Sequence, residues 1–320
     1  MQKNKSPLLA VVGPTASGKS QLAVMLAREL GGEVVSCDSM QIYRRMTIGT
    51  AKPTPADMEG IPHHLIDFTE PDLPYSCADY VRDAKETLAS LERRGVLPVV
   101  CGGTGLYLDR LLCGTTTEEL PQRNDALREQ YEAERLAKGN QSLHDRLRKV
   151  DPESADAIHP NNYPRVMRAL EIFELTGVPK SRWDRCSLAA ESPYQAVVIG
   201  LRYNDRGLLY RRIDQRVDAM LEAGLLEETA ALLLEGVFER NSTAAQAIGY
   251  KELLRHLRGE ESLADAVERL KLATRHYAKR QMTWFGAKNY VHWINADHNG
   301  ERRPAEALLE EALGIVKQML

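Results

Sequence analysis

The chain has 320 residues, 43% hydrophobic and 27% charged, which excludes fibrous and disordered classes and allows about two globular domains. Its 42 Lys and Arg against 45 Asp and Glu give a formal net charge of −3, so bulk charge does not advertise a nucleic-acid binder and any basic surface has to be local. The cysteines Cys37, Cys77, Cys101, Cys113 and Cys186 are scattered without C-x-x-C spacing, which fits a reducing compartment. No apolar stretch is long enough for a signal peptide or membrane span, so a cytoplasmic protein without a membrane partner is expected.

In chain order, Leu8 to Val12 is a short apolar run that ends in a glycine-rich turn. Lys19 to Leu30 then carries apolar residues at helical spacing until Gly31-Gly32 stops it. A second buried-strand pattern follows at Glu33 to Cys37. A helix is expected over Ala78 to Arg94, closed by Gly95, and a third strand at Val96 to Cys101. Strands alternating with helices imply a parallel α/β sheet. From Thr115 to Ser192 the strand signal vanishes, and charged helical stretches are broken at Gly139, Asp151-Pro152, His159-Pro160 and Gly177. Gln195 to Tyr203 restores a strand; helices follow, the longest at Asp205 to Ala223 and Ser262 to Phe285, and Tyr290 to Ile294 reads as a last strand. The expected architecture is an α/β core, residues 1–114 and 195–320, interrupted by an all-helical insertion over 115–194.

Gly13-Pro14-Thr15-Ala16-Ser17-Gly18-Lys19-Ser20 fits G-x-x-x-x-G-K-[ST] and lies between a strand and a helix, the context a P-loop requires. Loop and helix N–H groups point at bound phosphate oxygens, Lys19 adds a charge, and the Ser20 hydroxyl is placed to ligate Mg²⁺. An NTPase normally supplies a carboxylate after another apolar strand to help hold the metal. Here the third strand ends in Cys101-Gly102-Gly103-Thr104-Gly105, which argues against a typical ATPase. Asp38, just past the second strand, should emerge at the sheet edge where open α/β sheets bind ligands. A general base, a cap on the following turn and an organiser of Mg²⁺ are all open to it.

Read with Gly49-Thr50-Ala51-Lys52-Pro53, the segment Asp38-Ser39-Met40-Gln41-Ile42-Tyr43 closely resembles the tRNA dimethylallyltransferase (isopentenyltransferase) family. The blocks Pro62-His63-His64-Leu65-Ile66-Asp67, Gly102 to Tyr107, His159-Pro160-Asn161, Arg212 to Arg216, Ile248-Gly249-Tyr250 and Ala278-Lys279-Arg280-Gln281 agree. The resemblance spans nearly the whole chain. It implies a P-loop NTPase-like parallel sheet core and transfer of a dimethylallyl group from dimethylallyl diphosphate to the N6 amine of the adenosine 3′ of the anticodon in tRNA. It implies Asp38 as general base on that amine, Thr104 at the reaction channel, and Arg216 on the diphosphate. Ser39, Met40 and Gln41 match positions that meet the target nucleotide. Arg128 and Pro164, Arg165, Val166, Met167 and Arg168 match tRNA contacts of the insertion; Gln246 to Lys251 and Arg275 to Met282, with Lys279 and Arg280, match further tRNA-facing segments. Ser20 stands where some relatives have threonine, which keeps the hydroxyl. The chain ends without the zinc-finger extension of eukaryotic relatives, suggesting a bacterial-type short form, expected to act as a monomer.

Arg269, Lys271, Arg275, Lys279 and Arg280 lie on one expected helix with no acid among them, and Lys271, Arg275 and Lys279 share a face at i, i+4 spacing. This stripe is either a phosphate contact or a solvated helix side. His276, Tyr277, Trp284 and Phe285 are assigned to the core. His63 and His64 lack a third metal ligand and receive no catalytic role. Two rivals stand beside prenyl transfer: a kinase, which would need a nucleoside triphosphate, and a noncatalytic RNA-binding module with a dead phosphate site.

Overall fold

The computed structural model describes residues 5–113, 121, 123–189 and 192–320. The chain divides into two compact units, Met1–Leu112 with Tyr194–Leu320, and Cys113–Pro193. The first boundary expected from the sequence, 114–115, lies outside the described residues; the second is found one residue before its expected place.

The first unit opens with β1 (Ser6–Val12), the phosphate loop, α1 (Lys19–Leu30) and β2 (Gly32–Ser36). It continues through α2 (Pro55–Met58), the two-residue β3 (His63–His64), α3 (Cys77–Arg93), β4 (Leu97–Gly102) and α4 (Gly105–Leu112). Gly31, at φ 62°, ends α1 in the left-handed conformation, which glycine adopts without a Cβ penalty. A capping box opens α3: the Ser76 hydroxyl accepts from Asp79 N–H, and the Asp79 carboxylate accepts from Ser76.

Among the described residues the second unit has five helices: α5 (Asp125–Lys138), α6 (Asn140–Val150), α7 (Pro152–Ala157), α8 (Tyr163–Thr176) and α9 (Lys180–Ala189). The chain then returns to the first unit with β5 (Tyr194–Arg202), α10 (Arg206–Glu222), α11 (Leu225–Leu234), α12 (Val237–Arg240), α13 (Ser242–Ala245), α14 (Tyr250–Leu257) and α15 (Leu263–Gly286). The last elements are β6 (Val291–Asn295), a short hairpin of β7 (Asp297–His298) and β8 (Glu301–Arg302), and α16 (Ala305–Met319).

Six strands make one parallel sheet in the order β3-β2-β4-β1-β5-β6. Both faces are covered, so β1 is apolar and buried from Leu8 to Val12: Leu9 and Val11 pack toward α1 and α16, while Leu8, Ala10 and Val12 pack toward α3 and α4. Val12 pairs with Gly102, and Ser36 with Cys101. The loops after β1, β2 and β4 therefore leave the sheet side by side, at the edge where α/β sheets hold their ligands. A separate apolar cluster joins Ile42, Tyr43 and Met46 to α10, α11, α14 and α15. None of the helices is long and apolar enough, among the described residues, to cross a membrane.

Inside the helical unit, Tyr131, Leu143, Leu147, Val166, Met167 and Leu170 are buried together. Glu171 lies at its centre with 0% exposure. Its carboxylate accepts from Asn124 N–H at 2.7 Å, Arg128 Nε at 3.1 Å and Arg168 Nη1 at 2.5 Å. Burial pushes the Glu171 pKa up, but the Arg128, Asn124 and Arg168 hydrogen bonds outweigh it and hold the carboxyl below its ordinary value. Its folded-state pKa is thus depressed, so the stabilisation is full above the usual glutamate range and lost as pH falls through the lower value. Glu171→Ala is expected to destabilise this unit by about 3 kcal/mol near neutral pH and to flatten its acid sensitivity, as read by amide hydrogen exchange within α5 and α8.

Candidate active site

After β1 the chain must turn sharply, and three residues with positive φ make the turn: Gly13 (146°), Ala16 (61°) and Gly18 (94°). A Cβ on Gly13 would sit 2.8 Å from the Leu201 carbonyl oxygen, so only glycine fits there. Ala16 is a strained non-glycine residue, a conformation that persists where the surroundings over-determine it. α1 begins without any side-chain cap, leaving its first N–H groups and their partial positive charge facing outward. Ser17, 1% exposed, has a buried hydroxyl with no partner among the described residues.

Two cations meet at this loop. Lys19 reaches only the Pro14 carbonyl, at 3.4 Å; burial lowers its pKa and nearby Arg216 lowers it further, against the opposing influence of Cys101 and Asp38. Arg216, from α10, has no hydrogen bond or ion pair among the described residues; burial and then Arg212 press its pKa down while Asp38 opposes them. Desolvated positive groups without an ion-pair partner are costly, and the arrangement suits a site that receives an anion. The Cys101 thiol, pushed up to about 11 by burial, stands beside Lys19 and the Ser20 hydroxyl.

Asp38 sits one residue beyond Cys37 with its Oδ1 accepting from Met40 N–H at 2.9 Å and Gln41 N–H at 3.2 Å. The turn-capping role considered from the sequence is thus present, and it fixes the carboxylate's direction. The Thr104 hydroxyl accepts from Ser39 N–H at 3.1 Å, tying the β2 loop to the β4 loop. Gln281 is 4% exposed; it accepts from Thr15 N–H at 2.8 Å and donates to the Gly103 carbonyl at 3.1 Å, strutting the phosphate loop against the β4 loop. It matches a segment expected to face tRNA, but its amide is consumed internally. Tyr277, assigned to the core from sequence, instead lines the cavity with its phenol beside Thr104. Burial, then the Asp38 charge, push its pKa up, so the phenol is neutral. His276, also assigned to the core, is exposed, whereas Phe285 is buried and Trp284 donates to Asp109 Oδ2 at 3.1 Å.

These groups surround a cavity of about 350 Å³, at the small end of the range for ligand pockets. Its polar lining includes Thr15, Lys19, Ser20, Asp38 and Arg216, with Gln41, Lys251 and Arg280 among others, and Asp38 is the single carboxylate among its described lining residues. Val34, Ile66, Val217, Met220, Ile248 and Leu270 give it apolar walls. A charged floor with one base and greasy sides suits a substrate with an anionic head and a hydrocarbon tail.

Family models agree with this chemistry. The model described as IPP transferase matches residues 41–288, and the one described as isopentenyl transferase matches residues 6–70. The tRNA dimethylallyltransferase of Thermoanaerobacter sp. (strain X514) is 46% identical over 291 residues, 91% of this chain and 92% of its own. The chain belongs to the tRNA dimethylallyltransferase (IPP transferase) family. Among solved structures, the tRNA isopentenylpyrophosphate transferase of Bacillus halodurans is 43% identical with a TM-score of 0.71, covering 98% of both chains. A eukaryotic dimethylallyltransferase acting on tRNA is 28% identical with a TM-score of 0.82, covering 98% of this chain and 80% of its own.

As a member of this family, the chain carries the residues expected to meet tRNA, but not all of them are free to do so. Pro164, Arg165, Gln246, Lys251, Lys279 and Arg280 are exposed, and Ser39, Met40 and Gln41 line the cavity half-buried. Val166 and Met167 are 0% and 6% exposed in the helical core, a correction: they face inward on α8, and their neighbours Pro164 and Arg165 hold the surface. Arg128 and Arg168 are committed to Glu171. The basic stripe on α15 is also corrected. Lys271 pairs with Asp218 at 2.7 Å and Arg275 with Asp214 at 2.9 Å, so two of the three cations that share its face lock α15 to α10. His63 donates from Nδ1 to the Ile61 carbonyl at 2.8 Å, and His64 meets Glu33 at 2.6 Å.

The lowered Lys19 pKa means that its charge is disfavoured in the folded, ligand-free protein. Lys19→Met should therefore leave thermal stability unchanged or raise it, while weakening inorganic pyrophosphate binding about 100-fold. Thermal melts with and without pyrophosphate check both parts.

Proposed function

We propose that the cavity transfers a dimethylallyl group from dimethylallyl diphosphate to the N6 amine of the adenosine 3′ of the anticodon in tRNA, releasing diphosphate. The observation that carries this reading is the pair of desolvated cations, Lys19 and Arg216, without an ion-pair partner among the described residues, beside the phosphate loop with Asp38 the lone carboxylate of the described cavity lining. As the bond from the allylic carbon to the bridging oxygen breaks, its electron pair passes to the diphosphate. Loop N–H groups, Lys19 and Arg216 then hold a growing negative charge more tightly than the ground state, which lowers the barrier. The allylic carbon bonds to N6, and the proton that N6 loses goes to Asp38. An exocyclic amine inside a stacked base is out of reach, which suits a looped tRNA nucleotide turned out of its stack.

Mg²⁺ fits this site on limited terms. Among the described residues no group of three or more His, Cys, Asp or Glu side chains is disposed to hold a metal, and β4 closes with Cys101-Gly102 rather than a carboxylate. Mg²⁺ commonly keeps several waters and takes most other ligands from phosphate, so Ser20 would hold it together with the diphosphate. When bound, the ion would neutralise charge on the leaving group. Exposed Arg165, Lys251, Lys279 and Arg280 are the cations we assign to tRNA phosphates, with Met40 and Gln41 beside the target base. The protein is read as a cytoplasmic monomer.

A kinase would need metal-bound triphosphate, and Cys101, where a carboxylate would help hold that metal, counts against it. Incubation with tRNA, labelled dimethylallyl diphosphate and, separately, γ-labelled ATP should transfer only the prenyl label; γ-phosphate transfer without prenylation would overturn the proposal. Asp38→Asn keeps a carbonyl oxygen for the Met40 and Gln41 N–H groups but removes the proton acceptor. Its kcat should fall about 100- to 10,000-fold with tRNA affinity within a few-fold, and near-normal turnover would remove Asp38 from the mechanism.

A further inference from the structure

Along the cavity lining, the chain after Met46 folds into a tight turn. Ala51 N–H donates to the Ile48 carbonyl at 2.9 Å, Lys52 N–H to the Thr47 carbonyl at 3.1 Å, and the Thr50 hydroxyl to the Met46 carbonyl at 2.6 Å. Three successive N–H groups, of Thr47, Ile48 and Gly49, are thereby turned the same way, a concavity that attracts an anion. The carboxylate of Glu228 on α11 fills it. Its Oε2 accepts from Thr47 at 2.9 Å and Ile48 at 2.9 Å, and its Oε1 from Gly49 at 3.1 Å. Tyr250, fully buried, donates its hydroxyl to the same Oε1 at 2.7 Å.

Gly49 shows how closely these parts fit. A Cβ there would fall 2.5 Å from the Tyr250 ring. The turn and the start of α14 are thus joined through one carboxylate and one phenol, and both line the cavity: Gly49, Thr50 and Ala51 from the turn, Ala247, Ile248 and Gly249 from the residues leading into α14. The turn in turn holds Gln41, whose Nε2 donates to the Thr50 carbonyl at 3.2 Å and the Ala51 carbonyl at 3.1 Å. The Gln41 backbone N–H is one of the two that Asp38 Oδ1 accepts from, beside that of Met40.

We infer that Glu228 is a positioning residue for prenyl transfer, acting through the 47–51 turn and Gln41 to fix the Asp38 carboxylate and the wall that receives the acceptor base. Touching neither diphosphate nor base, it is not itself catalytic. Its four donors explain why a carboxylate is needed: only an ionised group of that size offers two acceptor oxygens and no donor to an all-donor nest. Burial and Glu228 both push the Tyr250 pKa up, keeping the phenol a donor.

The inference rests on the proposed reaction, and its test separates the two. Glu228→Gln keeps the size but turns an NH₂ group toward the N–H groups of the turn, leaving at least one of them unpaired. With tRNA and dimethylallyl diphosphate as substrates, it should lower kcat about 10- to 100-fold. The KM for dimethylallyl diphosphate and the affinity for inorganic pyrophosphate should stay within about twofold, because the phosphate loop lies outside the network. Tyr250→Phe removes one donor and keeps the ring on Gly49; it should lower kcat less, and its effect should largely disappear in the Glu228→Gln background. Parent protein that does not prenylate tRNA would defeat the proposed reaction itself. Active parent with an equally active Glu228→Gln, or equal losses in pyrophosphate affinity and kcat, would overturn the positioning role. If Glu228→Gln does not fold, unchanged turnover in Tyr250→Phe overturns it instead.

Discussion

Two positive side chains held in a poorly solvated place without an ion-pair partner among the described residues set the terms for this protein. Lys19 and Arg216 would each be more stable neutral or in water, and the remainder of the first unit is arranged to keep them where they are. β1, walled on both faces by apolar residues, delivers the loop and the lysine. The arginine arrives from the other end of the chain on α10, which Asp214 and Asp218 fasten to Arg275 and Lys271 of α15. The fold's stability is thus invested in a local instability that a diphosphate relieves, and the relief grows as that diphosphate becomes a leaving group.

Around this centre, internal struts do much of what the sequence suggested for substrate contacts. Gln281, Thr104, Arg128 and Arg275 all resemble recognition residues in a linear reading, yet each spends polar atoms inside the protein. Such struts matter because a nucleophile and a leaving group have to be aligned within fractions of an ångström, and a loop edge without them would drift. The tyrosine that was expected in the core and is found in the cavity, Tyr277, shows the converse: an aromatic side chain at helical spacing serves the site when its helix passes over the sheet edge.

What was legible in the sequence follows from the range of each signal. Strand, loop and helix around Gly13 to Leu30 were read to the residue for α1, because apolar spacing and a glycine cap are local. The alternation of strands with helices, and a stretch of helices between them, were equally plain. β3 was missed, since two residues, His63 and His64, carry no periodicity, and so was the β7–β8 hairpin. The boundaries of β2, β4 and β5 shifted by one residue, within the ordinary fraying of element ends. The basic stripe misled for a deeper reason: the acids that neutralise it, Asp214 and Asp218, lie on a helix about 55 residues earlier in the chain, and pairing between helices leaves no mark in a window read along one of them. Val166 and Met167 were misplaced because a matched segment was taken whole, although only one side of a helix faces out. The Glu228 nest could have been suspected only from Gly49-Thr50 as a turn, and nothing in the chain points from that turn to α11.

The cation pair and Asp38 meet most directly in a crystal structure with a non-hydrolysable thio-analogue of dimethylallyl diphosphate. Its diphosphate should lie on the loop N–H groups with Lys19 and Arg216 both engaged, and its allylic carbon should point toward the Asp38 carboxylate. Density for the diphosphate elsewhere, or Arg216 still without an anionic partner, would contradict the role given to the pair.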